Sequence, residues 1–258
     1  MAVARFEQDD DVGIITISNP PLNLFNLELI AELIAATTEA EATPIRALLL
    51  RSEGEHFTAG AQVDEVFGGL AEAEGEARIA GFLELAHRTE RLPFPTLAAV
   101  RGLCLAAGLE TVLTLDLIWA SDTAQFAFAE PVIGLTPVIG GVYRLAARAG
   151  TGRAIETVLT ARPYPAATFA GWGVVNRVLP DAELDEKTLA FAHRLAAGPT
   201  RAYDVTKQLL LAYREQGIAA ADAVSARACG PLFETDDLAH GIESLLSKGP
   251  GHATFHGR

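Results

Sequence analysis

Residues 96–120 read TLAAVRGLCLAAGLETVLTLDLIWA, and the order of residue types within them sets the fold class. Thr96–Val100 is a short apolar run suited to a strand. Ala106, Ala107 and Gly108 are three small residues in a row, which make a corner. Ala107–Leu115 carries a helical pattern, and Leu117–Ala120 returns to a strand. Strand, turn, helix and strand in that order point to α/β architecture.

The same rhythm extends upstream. Val3–Glu7 and Val12–Ser18 read as two strands across an acidic turn, and Asn19-Pro20-Pro21 stops the second. Leu27, Ile30, Leu33 and Ile34 recur at helical spacing, which predicts a helix to about Glu39. Ile45–Arg51 fits a strand buried on both faces. Gly68–Gly75 (GGLAEAEG) reads as a mobile loop before a helix over Glu76–Arg91, which Pro93 and Pro95 close. Downstream, strand signals stop at Leu184. Helical patterns broken at Gly198-Pro199, Gly217 and Gly230-Pro231 divide the chain into a core, 1–197, and a helical subdomain, 198–258.

Composition narrows the function. The 258 residues are 50% hydrophobic and 21% charged, a globular mix, with a net charge of −13. Such an acidic surface repels phosphodiester backbones, so nucleic acid is not an expected partner. No apolar run approaches the ~18 residues of a membrane span, and MAVARFEQDDDVG lacks the pattern of a leader. A cytoplasmic location is the expectation. Cys104 and Cys229 are too few for a disulfide framework, and Cys104 reads as a small buried apolar residue. His252 and His256 fall in a glycine-flanked end that reads as a free tail. Gly150–Arg153 lacks the ending of a phosphate-binding loop and marks a helix boundary, and no Gly-x-Ser-x-Gly elbow is present.

Three segments could carry chemistry. In Glu55–Val66 (EHFTAGAQVDEV), small residues at Ala59, Gly60 and Ala61 let the backbone approach a ligand and leave an N–H to offer an oxyanion. A plain tight turn is the competing reading. In Arg101–Leu117 the first N–H groups of a helix lie at the positive end of its dipole. Glu110 follows Ala107 by one turn, among Leu109, Val112 and Leu113, where burial would raise its pKa. An acid that only complements the dipole would look the same. In Gln125–Gly141, Glu130 is the lone charge between Asp122 and Arg144, so it has an unseen partner or works as an acid or base.

These segments, in this order, resemble the crotonase family, the enoyl-CoA hydratase/isomerase superfamily. The resemblance also takes in Asn19-Pro20-Pro21-Leu22-Asn23, Phe57–Val66, Gly102–Asp116, Gln125–Leu145, Trp172-Gly173-Val174-Val175-Asn176 and the closing Phe255-His256-Gly257-Arg258. It implies a spiral of ββα turns followed by helices that build a homotrimer or hexamer. It implies an acyl-CoA thioester held by the backbone N–H groups of Ala61 and Ala107, and two catalytic glutamates, Glu110 and Glu130. Ala59, Gln62, Val63, Asp64 and Gly108 are implied near the substrate, with Lys248 on the CoA phosphates. No metal or redox cofactor is implied, since coenzyme A arrives as part of the substrate.

The implied reaction is syn addition of water to a trans-2-enoyl-CoA. A Δ3-Δ2 isomerase needing one glutamate, or a silent acyl-CoA binder, is the alternative. The chain departs from the family pattern at Gln62, where aspartate is usual, and at Ala106 and Ala107, where glycines are usual. It departs again at Thr136-Pro137-Val138-Ile139, which replaces a glycine-rich lead.

Overall fold

A computed structural model describes residues 3–258, so Met1 and Ala2, the first two residues of the leader reading, lie outside it. β1 (Ala4–Asp9) and β2 (Val12–Ile17) pair antiparallel, and α1 (Leu27–Ala42) follows, capped by the Asn26 side chain on the Leu29 N–H. β3 (Ala47–Ser52) lies parallel to β2. α2 (Val63–Val66) and α3 (Glu72–Glu90) come next, then β4 (Thr96–Val100), β5 (Leu103–Leu105) and α4 (Ala107–Val112). β6 (Leu117–Ser121) and β7 (Gln125–Ala127) lead to a 3-10 turn at Glu130–Ile133. There follow α5 (Gly141–Ala149), α6 (Thr151–Thr160), β8 (Tyr164–Pro165), α7 (Ala166–Gly171) and β9 (Arg177–Leu179). The chain ends in α8 (Leu184–Ala196), α9 (Thr200–Gln216), α10 (Ile218–Cys229) and α11 (Asp236–Lys248).

Two sheets result. The larger has the order β1-β2-β3-β4-β6-β9, and the smaller β5-β7-β8. β4 runs into β5 and β6 into β7, each pair followed by helical structure, so successive turns place one strand in each sheet. Thr58 bridges Cys104 on β5 and adds the turn after β3 to the same stack. This is the ββα spiral that the resemblance implies.

The inner strands of the large sheet are buried on both faces, as continuous apolar runs require. Leu48 and Leu50 of β3 join the core beneath α1 and α4. Leu49 faces the other way, into a second cluster with Leu97 and Trp119 that α8 covers through Leu184, Ala192 and Ala196. Truncating a buried leucine such as Leu49 to alanine would cost about 2–5 kcal/mol.

Four expectations need correction. α3 starts at Glu72, inside the stretch read as a mobile loop. Glu74 there accepts the Ala71 N–H at 2.9 Å, and the two acids of the first turn complement the dipole despite Gly75. α4 ends at Val112, not Leu115. β5 follows β4 almost at once, in a stretch where the sequence pattern assigns no strand. The C-terminal tail is not free, because the Asp237 carboxylate accepts the N–H groups of His256 (2.7 Å) and Gly257 (2.8 Å).

Candidate active site

The Ala59–Ala61 corner owes its position to the turn at Asn19–Phe25. Asn23 donates from Nδ2 to the carbonyls of Glu53 (2.9 Å) and His56 (2.8 Å), fixing the approach to the corner. The Ala59 N–H donates to Leu22 O, Phe25 N–H to Gly60 O, and Gln62 N–H to Phe25 O, all at 2.9 Å. Gly60 has φ +110° and lies against Leu105–Ala106, where a side chain on it would come within 3.4 Å of the Ala106 methyl. The two loops therefore abut.

The second loop is held from the other side. Ala106 donates its N–H to Ala127 O at 2.8 Å, and Leu105 donates to Thr58 O at 3.1 Å. Ala106 adopts φ 49°, ψ −119°, and Ala107 opens α4. Among the described residues, neither the Ala61 nor the Ala107 N–H donates to a protein acceptor. Both residues line one cavity of about 250 Å³. Two free N–H groups, one at a helix N-terminus, can accept developing negative charge there.

Both glutamates line that cavity. Glu110 is 1% exposed, and its Oε1 accepts the N–H groups of Ile139 and Gly141, each at 2.8 Å, at the start of α5. Gly141 has no room for more: a methyl there would meet Glu110 Cγ at 2.7 Å and the Phe128 ring at 2.6 Å. Glu130 begins the 3-10 turn, and its buried Oε2 has no hydrogen-bond partner among the described residues. Burial lifts the pKa of both well above the carboxylate range. Repulsion from Glu130 adds to the effect on Glu110, while the N–H groups of Gly141, Ile139 and Val138 work against it. An apolar cavity with two such carboxyls and two free donors can polarise a carbonyl and move protons beside it.

The other expected residues divide. Ala59 and Val63 line the cavity. Gly108 does not. It is glycine because a methyl would stand 2.1 Å from Thr58 Cγ2, so its role is to let α4 close on the corner. Gln62 precedes α2 and Asp64 is exposed in its first turn; neither lines the cavity. Lys248 ends α11, exposed, and is not brought to the cavity.

Sequence reasoning missed the Ile139–Gly141 donors and the charges behind them. Arg144 reaches Ile139 O with Nη1 (2.8 Å) and grips Glu90 with Nε (3.1 Å) and Nη2 (2.7 Å). The Gly140-Gly141 pair at a helix start was the available signal. Ile30 of α1 and Phe82 and Leu85 of α3 form the far wall of the cavity.

The family model for enoyl-CoA hydratase/isomerase matches residues 7–255. A short-chain-enoyl-CoA hydratase of Clostridium acetobutylicum is 30% identical over 248 residues, covering 94% of each chain. A Rhizobium meliloti protein named "probable enoyl-CoA hydratase" is 32% identical over 244 residues, also 94% of each. The crystal structure of an enoyl-CoA hydratase from Bacillus anthracis superposes with a TM-score of 0.91 at 25% identity, covering 99% of this chain and 100% of that one.

Proposed function

Because the chain belongs to the enoyl-CoA hydratase/isomerase family, we propose that it is an enoyl-CoA hydratase acting through Glu110 and Glu130. The observation that carries this reading is the pair of buried glutamates on one apolar cavity. An isomerase needs only one. The thioester oxygen lies between the Ala61 and Ala107 N–H groups, which draw electrons from the conjugated double bond and make Cβ electrophilic. Each such donor is worth about 3–4 kcal/mol of barrier.

The two carboxyls titrate as a pair, and their raised pKa values keep one proton between them near neutrality. The value is higher at Glu110, about 8 against about 7, so in the free protein the shared proton favours Glu110. The two N–H donors aimed at Glu110 lower the cost of passing it to Glu130 before water attacks. Glu110 takes a proton from water as its oxygen bonds to Cβ. The π electrons pass to the thioester enolate, and Glu130 gives its proton to Cα as the carbonyl re-forms. Hydration then leaves a 3-hydroxyacyl thioester, and proton exchange between the carboxyls and solvent resets the pair. No cofactor enters this scheme beyond the coenzyme A of the substrate.

The purified protein should remove the conjugated absorbance of a trans-2-enoyl-CoA and yield the 3-hydroxy product. Conversion of a 3-enoyl-CoA without hydration would replace this reading with the isomerase. Saturable binding without turnover would replace it with the silent binder.

The helical region 198–258 is proposed to be the oligomerisation unit of a homotrimer or hexamer. Supporting this, neither α9 nor α10 has a buried residue, and Leu210, Tyr213, Ile218 and Phe233 are each more than half exposed.

A further inference from the structure

We propose that Glu90 is a positioning residue: gripped by Arg144 and Arg214, it fixes the loop that orients the Glu110 carboxylate and ties that carboxylate to the seating of α9. This rests on the two-glutamate reading above.

Glu90 is the last residue of α3, and its side chain is 9% exposed. Arg144, 5% exposed, meets it with two parallel bonds and spends its remaining nitrogen on the Ile139 carbonyl. The same residue, Ile139, gives its N–H to Glu110. Gly140 lies between the two donors at φ +84°. A methyl on it would stand 2.2 Å from Arg144 Nη1, so the guanidinium is flush against the loop. The donors of Glu110 are thus braced from behind by one arginine, and that arginine by one acid. A buried ion pair adds little stability over well-packed apolar side chains, so placement is the better account of its presence here.

The third contact comes from outside the core. Arg214 of α9 approaches Glu90 Oε1 at 3.2 Å. α9 buries none of its own residues, and polar ties help to hold it down, among them this one, Lys207 to Phe94 O (2.9 Å) and Asp116 (2.8 Å), Arg46 to Thr200 (3.0 Å) and Arg91 to Glu215 (3.2 Å). A change in how α9 sits is therefore felt at Glu90.

The charged groups around Glu110 are few. Glu130 lines the same cavity, the Arg144–Glu90 pair stands behind the loop from α5 and α3, Arg148 of α5 reaches the Leu113 and Leu115 carbonyls past the end of α4, and Arg214 lies beyond on α9. α4 carries no other charge. The loop N–H groups hold the Glu110 pKa down, so slackening the loop raises it.

Glu90→Gln keeps the shape but loses the charged fork, and Arg214→Ala removes only the outer contact. In hydration assays across pH, Glu90→Gln should move the acidic limb of kcat/KM upward by about half a pH unit. That is a roughly threefold loss on the limb, with KM unchanged because Glu90 does not line the cavity. Arg214→Ala should move it less in the same direction, and Arg214→Lys should restore it. A folded Glu90→Gln protein with an unmoved limb overturns the proposal. If that variant does not fold, an unmoved limb in Arg214→Ala overturns it, and the same result beside a moved Glu90→Gln limb overturns the α9 tie. Should the wild type hydrate nothing, the functional reading fails. The positioning claim is then read from thermal midpoints, where Glu90→Gln should raise the pH at which the part abolished by Glu110→Gln titrates, and an unmoved value overturns it.

Discussion

Glu110 and Glu130 lose water on folding, and burial is the largest cause of their raised pKa values, from 4.5 to about 8 and about 7. Between pH 4.5 and these values the folded protein holds protons that the unfolded chain has released. Stability must therefore fall as pH rises through that window. Glu110→Gln and Glu130→Gln remove a charge that folding disfavours. At pH 9 each should unfold several degrees above wild type, a gain on the order of a few kcal/mol. At pH 5 the three should nearly coincide. A wild-type midpoint that climbs with pH through this window would contradict the account. Both acids were legible in sequence because a carboxyl among apolar neighbours breaks the local pattern. Glu90 and Arg144 were not. Each lies on a helix of mixed polarity, where a charge reads as solvated, and their burial comes from α5 and α9 closing on α3.

At the scale of elements, the turn into α4 carries strain. Ala106 sits at φ 49°, ψ −119°, dihedrals that suit glycine and crowd a methyl. Its N–H is bonded to Ala127 O, so the conformation persists under tertiary constraint. Ala106→Gly should raise stability by about 1 kcal/mol, part of the relief being offset by glycine's greater freedom in the unfolded chain. Denaturant midpoints measure it, and a loss of stability would show that the methyl contributes packing that outweighs the strain. The longer strands and helices were legible from periodicity. β5, β7 and β8 have two or three residues each, too few to show a period, and only their pairing in the smaller sheet makes them strands. The start of α3 was hidden by Gly75, whose low propensity is overridden by first-turn acids and tertiary packing.

For the molecule as a whole, two sheets and the helices between them bring together residues from four separate stretches: Ala61, Ala107, Glu110, Glu130 and the Ile139–Gly141 loop. Sequence order carries the first four through family resemblance. Their convergence on one cavity follows from the parallel stacking of successive turns. Among the described residues, no helix is long and apolar enough to cross a membrane. The apolar side chains exposed on α9, α10 and α11, such as Leu210, Ile218 and Leu246, call for a cover. Light scattering should therefore give a multiple of 27.3 kDa that corresponds to a trimer or hexamer, and a monomer would contradict the assembly proposed above. The most direct test of the central claim, that two glutamates together hydrate an enoyl thioester, is the loss of crotonyl-CoA absorbance under wild type, Glu110→Gln and Glu130→Gln. The account predicts water-dependent turnover by wild type and a loss of about 10²–10⁴-fold in each variant, with thioester binding retained. Either variant working within a few-fold of wild type would contradict it.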